Sequence, residues 1–322
     1  MNPQNIPVTP YQRYIGEFEG YACKFSPFLP NVIACCFSQY YGIIGNGRLS
    51  IFTQNPQTGI LEENRRFNTN DGIFDIAWSE ANENHILTGC GDGSLKLWDT
   101  NYNQPLVNIK EHMGEVFGVS WNHGMTSIVA SCGMDTTVKV FDMGKKVALS
   151  NLVEHKKVVY SVSWHPTMDN ILASSSADQT VKVWDTRSGK AIKTLISQNA
   201  EMMHMDFNKY ENTIATAGAD GTVLVFDLRG SGDIPLTVLN GHSLTARKVQ
   251  FSPFFAGILA SVGYDMNVFI WDIKKSAPVN ISKHHREFVY GLDFSNFDNK
   301  KIATTGWDRS LYVFNWDEQF RF

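Results

Sequence analysis

Histidine, serine and aspartate residues recur together along this chain, and they are the side chains of a hydrolytic triad. His155, Ser174 and Asp178 form one such set, which ends in the segment ILASSSADQTVKVWDT (171–186). In a triad, the serine attacks the substrate, the histidine takes its proton, and the aspartate orients the histidine. The same residue types suit a structural role, because a buried carboxylate needs hydrogen bonds and a histidine can link it to a hydroxyl.

The set occurs several times, which distinguishes the two roles. The copies are His112, Ser131 and Asp135; His155, Ser174, Asp178 and Trp184; His242, Ser261, Asp265 and Trp271; and His285, Thr304 and Asp308. An enzyme needs one active site, and no G-x-S-x-G nucleophile elbow accompanies these sets. A buried tryptophan N–H also needs an acceptor, so we predict structural tetrads and no catalytic residue. In weaker copies, Thr69 and Gln198 replace the histidine and Asn46 replaces the turn aspartate.

The sets belong to a longer repeat that covers nearly the whole chain. Each copy contains an alternating run such as VFGVSW (116–121), then a β-branched run, a turn with an aspartate, and another alternating run. These features indicate strands and tight turns. The aromatic residues that end the copies are Phe52, Trp98, Phe141, Trp184, Phe226, Trp271 and Phe314, at intervals of 46, 43, 43, 42, 45 and 43 residues.

Seven copies of this length and ending resemble the WD40 repeat, in which each copy forms a four-stranded blade. The resemblance implies an all-β fold, a seven-bladed WD40 β-propeller, as a single domain over residues 1–322. The last copy ends after its third strand, LYVFN (311–315). We therefore predict that residues 13–18 supply the missing outer strand and close the ring, and that residues 1–12 form a flexible arm.

Composition argues against several functional classes. The formal net charge is −4 with no basic stripe, which disfavours general binding to nucleic acid or an anionic membrane. No apolar run reaches the length of a membrane span, and the N-terminus lacks signal-peptide features. Five cysteines without a CxxC pair indicate buried free thiols in a reducing compartment. No cluster has the spacing of metal ligands, so we expect no metal and no cofactor.

The WD40 resemblance also implies a binding face. In that family, two positions after the histidine and one before the turn aspartate face the narrower surface of the propeller. Here these positions hold many aromatic residues, several acids and one base, which is typical of a protein-binding surface for a cationic ligand. The predicted peptide-binding residues are Asp71, Phe74, Glu115, Phe117, Tyr160, Glu201, Tyr264, Tyr290 and Trp307. Alternatively, the aromatic residues only fill the top of the channel and the acids form a solvated rim.

Other segments narrow the resemblance. YACKFSPFLPNVIACC (21–36), NDGIFDIAWSE (70–80) and HHREFVYGLDFS (284–295) look like the receptors for the N-terminal, type-2 peroxisomal targeting signal. That family binds cargo enzymes that carry an Arg-Leu-x5-His-Leu signal, and it works with a co-receptor that docks the complex at the peroxisome. The resemblance implies cargo proteins, a co-receptor and membrane docking machinery as partners. It also implies shuttling from the cytosol to the peroxisome, without insertion into the membrane.

The expected ligand is short and amphipathic. As a helix, the signal spans about two and a half turns, and residues seven apart lie along one face. We expect Glu115 to bind the signal arginine, because its rim position falls in an inner strand, and Glu201 to bind a second basic group. One alternative is a general WD40 scaffold or adaptor in another multiprotein complex, which usually carries a further interaction motif. The other alternative is an enzyme, which the fourfold repetition disfavours.

Overall fold

The computed structural model describes residues 11–197, 200–230 and 234–317. These residues form 28 strands, arranged as seven four-stranded antiparallel sheets. In six sheets the four strands follow one another in the chain. In the seventh, the first strand of the chain pairs with the last. Within the described residues, no helix is long and apolar enough to cross a membrane.

The strands are numbered β1 to β28 in chain order, and β1 is Tyr11–Ile15. Blades one to three are β2 to β13: Glu19–Phe25, Val32–Ser38, Gly47–Gln54, Leu61–Thr69; Ile73–Trp78, His85–Cys90, Ser94–Asp99, Val107–Lys110; Val116–Trp121, Ile128–Gly133, Val138–Asp142, Val147–Leu152. Blades four to six are β14 to β25: Val159–Trp164, Ile171–Ser176, Thr180–Asp185, Lys190–Ile196; Met202–Phe207, Thr213–Gly218, Thr222–Asp227, Thr237–Asn240; Ala246–Phe251, Ile258–Gly263, Val268–Asp272, Ala277–Ser282. Blade seven is β26 to β28 with β1: Val289–Phe294, Lys301–Gly306 and Ser310–Asn315. The prediction of a seven-bladed β-propeller is confirmed.

The core lies between the blades. Seven buried apolar clusters are present, and each joins residues of two neighbouring blades. Between blades one and two, for example, Leu49 and Phe67 pack with Ile76 and Trp98. The seven aromatic residues that end the repeats are at most 3% exposed. All five cysteines are free and buried. The repeat period thus reflects one buried aromatic residue per interface between blades.

The ring is closed by the N-terminal strand. The inner strand of each blade contacts the next, and the last, β26, contacts the first, β2. Strand β1 pairs with β28 from Tyr11 opposite Phe314 to Ile15 opposite Ser310. The strand therefore begins two residues before the predicted range of 13–18 and ends three residues earlier, because pairing with β28 sets its register. Residues 11 and 12 were predicted in the flexible arm but belong to this strand, and residues 1–10 lie outside the described residues.

Carboxylates on the inner strands tie neighbouring blades together. One oxygen of Asp75 accepts a hydrogen bond from the Val119 amide of the next blade at 3.0 Å. Asp293 does the same for the amide of Phe25 at 2.8 Å, and this bond joins blade seven to blade one. The other Asp293 oxygen lies 2.7 Å from Lys24 Nζ. These contacts satisfy buried charges and also hold the ring closed.

Each predicted tetrad is brought together inside its blade. In blade four, His155 Nδ1 lies 2.8 Å from Asp178 Oδ2, and Nε2 lies 2.7 Å from Ser174 Oγ. Trp184 Nε1 donates to the same hydroxyl at 2.8 Å. One tautomer, protonated at Nδ1, satisfies the whole chain of hydrogen bonds. Burial alone would raise the pKa of Asp178, but hydrogen bonds from His155, Thr180 and the Lys156 amide hold that pKa below its usual range.

The other three sets repeat this geometry. The histidine lies 2.8–3.0 Å from its aspartate and 2.6–2.8 Å from its hydroxyl, for the residues His112, Ser131, Asp135; His242, Ser261, Asp265; and His285, Thr304, Asp308. Trp271 completes the blade-six set with a hydrogen bond of 2.8 Å to Ser261. In the repeat copy that forms blade two, Thr69 replaces the histidine. It lies at the end of β5, and its Oγ1 donates to the Asp71 carbonyl at 2.6 Å. Gln198 of blade five lies outside the described residues.

Removal of residues 1–15 is expected to cause insolubility or a large fall in melting temperature. The deletion leaves both the backbone edge of β28 and one side of blade one uncovered. Removal of residues 1–10 is the control, because it leaves β1 in place. Thermal unfolding and sedimentation of the soluble fraction measure the effect. A 1–15 deletion that melts like the full chain would refute closure by β1.

Ser174→Ala is expected to lower the free energy of unfolding by about 2–4 kcal/mol, because it leaves His155 and Trp184 without their shared partner. The matched control is Ser175→Ala on the same strand. Ser175 is equally buried, but its hydroxyl has no hydrogen-bond partner among the described residues. The control should therefore be near neutral. Urea denaturation measures both variants, and equal effects would contradict a structural role for the tetrad.

Candidate peptide-binding face

The predicted binding residues lie at one end of the propeller. In a four-stranded antiparallel blade, the turn between the second and third strands lies at the same end as the segment that leads into the first. Of the three positions in each repeat, the one before the aspartate lies in that turn. The other two lie just before the inner strand, as Glu115 and Glu201 do, and near its first residue, as Phe74 and Phe117 do. All nine predicted residues are partly exposed. They surround the mouth of the central channel, and we call this surface the upper face.

Aromatic rings form one half of a continuous arc on the upper face. The ring centroids of Tyr160 and Phe117 are 6.2 Å apart, and those of Phe117 and Phe74 are 5.4 Å apart. Phe74 meets Tyr21 edge-on at 5.2 Å. Tyr21 is buried and was not among the predicted binding residues, although it holds the equivalent position in blade one. Edge-on and tilted arrangements are the favourable ones for aromatic pairs.

The other half of the arc continues from Tyr21 into blades seven and six. Tyr21 lies 5.0 Å from Tyr290, which stacks on Trp307 at 4.9 Å. The hydroxyls of Tyr290 and Tyr264 are 2.9 Å apart, and Tyr264 stacks on Phe288 at 4.6 Å. Five of these rings, Tyr21, Phe74, Phe117, Tyr160 and Tyr290, also line the top of the channel. The arc therefore covers the channel while its partly exposed rings remain available to a ligand.

The inner strands of blades five and six carry no aromatic residue at the position that holds a ring in the other five blades, namely Tyr21, Phe74, Phe117, Tyr160 and Tyr290. Met203 takes the ring position in blade five and is buried. Arg247 takes it in blade six, where its guanidinium lies 4.9 Å over the Tyr290 ring and donates to the Met203 carbonyl at 3.4 Å. This cation lies over an aromatic face and has no carboxylate partner among the described residues. Asp71, Glu115 and Glu201 belong to blades two, three and five, so blades two to five form the acidic side of the upper face, and Arg247 of blade six lies at its border.

The three predicted carboxylates have different environments. Asp71 Oδ1 accepts the Gly72 amide at 2.8 Å and lies against Gly91, where a Cβ would come within 2.6 Å of it. Glu201 accepts a hydrogen bond of 3.0 Å from the Tyr160 hydroxyl. Burial is the larger cause and this contact with a carboxylate the smaller, and together they raise the pKa of Tyr160 to about 12.

Glu115 differs from both. Its carboxylate has neither a hydrogen bond nor an ion pair with any residue that the structure describes, and it is half-buried. It was expected within an inner strand, but it precedes β10 by one residue. Its backbone is nevertheless fixed, because its carbonyl accepts the Met134 amide at 2.9 Å. A half-buried, unpaired carboxylate on a fixed backbone is suited to bind a cation from another molecule.

The sequence analysis missed one segment of the upper face, in blade one. Tyr41, in the turn between β3 and β4, meets Trp307 edge-on at 5.0 Å. Its amide donates to Glu19, a buried carboxylate that also accepts from Arg309 Nε at 3.3 Å. Blade one was recognised only as a weak repeat, which left this turn without an assigned role. The unusual length of QYYGIIGN (39–46) between two strands was the available signal.

Below the arc, the channel is polar and charged. A cavity of about 270 Å³ opens towards the end opposite the upper face. Lys24 pairs with Asp293 there, and Lys248 lies 3.9 Å from Asp75. Asp206 has no ion pair with a described residue, and burial raises its pKa to about 6. Among the described residues, no group of three or more His, Cys, Asp or Glu side chains is arranged to hold a metal ion.

Comparison with known proteins agrees with this architecture. The WD40 family (WD domain, G-beta repeat) matches six segments, and the weak first copy is not among them. The matched residues are 62–99, 103–142, 146–185, 189–227, 234–272 and 276–315.

Three relatives resemble the chain over almost their whole length. The "Peroxisomal targeting signal 2 receptor" of Mus musculus is 39% identical, over 92% of this chain and 93% of the relative. The protein of the same name in Dictyostelium discoideum is 40% identical, over 89% and 92%. "Peroxisome biogenesis protein 7" of Arabidopsis thaliana is 38% identical, over 92% and 95%. The chain therefore belongs to the WD40-repeat family and, within it, to the family of the peroxisomal targeting signal 2 receptors.

Proposed function

We propose that this protein is the receptor for the N-terminal, type-2 peroxisomal targeting signal of cargo enzymes, and that it delivers them for import into the peroxisome. Membership of the receptor family supports the function. The observation that carries the binding site is the unpaired carboxylate of Glu115 beside the aromatic arc. A ligand for this surface needs a cation and apolar side chains on one face, and an amphipathic Arg-Leu-x5-His-Leu helix provides both.

The arginine of the signal binds at the acidic side of the upper face. Glu115 takes this arginine, and Asp71 lies in the neighbouring blade with no cation partner among the described residues. A guanidinium forms two parallel hydrogen bonds with a carboxylate, which gives direction as well as strength. Glu201 already accepts a hydrogen bond from Tyr160, so it takes the second basic group through its remaining acceptor capacity.

The leucines of the signal bind to the aromatic arc. Phe74, Phe117 and Tyr160 lie on the acidic side, while Tyr264, Tyr290 and Trp307 lie across the channel. Large rings on a fixed backbone lose little conformational freedom on binding, which is one reason why such residues dominate binding energies in protein interfaces. The partly exposed arc thus offers apolar contacts on both sides of the channel mouth.

The role is one of binding, without catalysis. The hydroxyls that a hydrolytic triad would use belong to Ser131, Ser174, Ser261 and Thr304, and these residues are 0% exposed. Each hydroxyl is engaged by its histidine inside a blade, where no substrate reaches it. This geometry supports a receptor and disfavours an enzyme.

The receptor works with protein partners. A co-receptor joins the complex of receptor and cargo, and docking machinery at the peroxisomal membrane receives it. The protein itself resides in the cytosol and moves to the peroxisome, and it neither binds nucleic acid nor inserts into the membrane. The acidic net charge supports this assignment.

A labelled Arg-Leu-x5-His-Leu peptide is expected to bind the purified protein saturably, with a candidate co-receptor present or absent. Binding should weaken as salt rises, because partly exposed charges are screened. A peptide with Arg→Ala should bind far more weakly. Fluorescence anisotropy measures the affinity for the signal peptide, its dependence on salt, and the affinity for the Arg→Ala peptide. A folded protein that binds no signal peptide in either condition would favour a general WD40 scaffold instead.

Glu115→Gln is expected to weaken signal binding by about 30-fold or more, since breaking a desolvated arginine–carboxylate pair typically costs about 2–5 kcal/mol. Glu62→Gln is the control, because it removes the same charge from an exposed position on the outer strand of blade one. The loss should largely disappear with the Arg→Ala peptide, which lacks the partner. Wild-type affinity in Glu115→Gln, with an unchanged melting curve, would show that another group binds the arginine.

A further inference from the structure

The turn between β3 and β4 in blade one is longer than its counterparts. It has eight residues, 39–46, and we call it the blade-one turn. The equivalent turns of the other six blades have three or four: residues 91–93, 134–137, 177–179, 219–221, 264–267 and 307–309. The additional residues of the blade-one turn come from the run QYYGIIGN. A regular repeat has no structural need for them, since the six other blades are complete without them.

The blade-one turn presents apolar side chains to solvent. Tyr40 is 59% exposed, Tyr41 50%, Ile43 81% and Ile44 67%. A single exposed apolar residue is normal on a protein surface, but four within five residues form a patch. Such patches mark interaction sites.

The turn is held in a strained conformation. Tyr40 and Tyr41 have φ values of +50° and +57°, followed by Gly42 at +68°. The left-handed region is unfavourable for residues other than glycine, so surrounding contacts must hold it. The Gln39 amide donates to the Asn46 carbonyl at 2.9 Å, while Glu19 and Trp307 hold Tyr41. The exposed isoleucines are therefore presented by a fixed turn.

The blade-one turn adjoins the acidic side of the upper face. A Cβ on Gly42 would lie 2.5 Å from Phe74 Cε1. The opposite edge of the same ring, at Cε2, faces Gly91, where a Cβ would lie 3.3 Å from the ring and 2.6 Å from Asp71 Oδ1. The turn and the Asp71 carboxylate thus flank a single aromatic ring. A ligand that places a cation at Asp71 or Glu115 has its neighbouring apolar side chains beside Ile43 and Ile44.

We propose that the blade-one turn forms one wall of the signal-binding site, where Ile43 and Ile44 contact the leucines of the signal helix. This inference rests on the proposed function. It commits to the cargo signal as occupant, because the turn flanks the same ring as a carboxylate that has no cation partner among the described residues. Apolar side chains next to a carboxylate match an amphipathic helix with a basic residue.

The double substitution Ile43→Ser and Ile44→Ser tests the proposal. Binding of the labelled Arg-Leu-x5-His-Leu peptide should weaken about tenfold or more, since two exposed side chains no longer bury apolar area against it. The control is Ile192→Ser with Ile196→Ser, which removes two exposed isoleucines from the outer strand of blade four. The control should bind like wild type, and the melting curves of both variants should be unchanged.

A second peptide, with both leucines replaced by alanine, separates the possible occupants. The blade-one variant should lose much less affinity for this peptide than for the original, because the apolar partners are absent. If a candidate co-receptor is required for binding, the same comparison is made in its presence. An equal loss with both peptides would show that the turn does not act through the leucines and would overturn the proposal. If the peptide also binds alone, a loss seen only with co-receptor present would indicate that the turn binds the co-receptor, which likewise overturns the proposal.

Two further outcomes are distinct. Unchanged affinity of the blade-one variant, while wild-type protein binds the peptide, would overturn the inference and leave the proposed function standing. If folded wild-type protein binds no signal peptide with or without co-receptor, the proposed function and the inference both fail.

Discussion

Each sheet of this protein has two apolar faces, and only a closed ring gives every face a partner. The core is therefore divided into seven clusters between blades, and no blade buries its aromatic residue alone. Closure depends on a strand from the start of the chain pairing with the last strand, β28. It also depends on the Asp293 carboxylate of blade seven, which binds both Lys24 and the Phe25 amide of blade one. The two ends of the chain are thus joined at the outer edge and at the channel.

The tetrads connect this architecture to the upper face. The aspartate of each tetrad lies in the turn between the second and third strands, and the residue before it lies on the upper face. Trp307 precedes Asp308, which His285 and the Arg286 amide hold in place. Tyr264 likewise precedes Asp265, which is held by His242 and the Ser243 amide. The hydrogen bonds that stabilise a blade therefore also orient the aromatic residues of the upper face. This is the kind of support that a preorganised site requires.

Blade one departs from the pattern, and its departures concern the upper face. It has Asn46 in place of the turn aspartate, so its turn lacks the histidine–aspartate hydrogen bond that the tetrads form. A longer turn takes its place, and Glu19, itself paired with Arg309 of blade seven, holds that turn. Local irregularity in an otherwise consistent repeat is expected where function outweighs regular packing. The irregular blade lies between Trp307 and Phe74, at the centre of the aromatic arc.

The sequence by itself determined the propeller, the blade count, the tetrads and the end of the molecule that carries aromatic and acidic residues. The repeats and the tetrads depend on spacings within and between copies, such as the 23 residues from His155 to Asp178, and such spacings are visible along the chain. The propeller and the positions on the upper face followed from the resemblance of these repeats to the WD40 family. Tertiary structure alone decided the rest. The register of β1 depends on pairing between the two ends of the chain within blade seven. The hydrogen bond from Tyr160 to Glu201 and the position of the blade-one turn beside Trp307 depend on contacts between different blades. The lack of a partner for Glu115 among the described residues likewise depends on what the neighbouring blades place beside it. The pattern within one repeat does not specify which side chains of neighbouring blades meet, because that depends on how the blades pack in the closed ring.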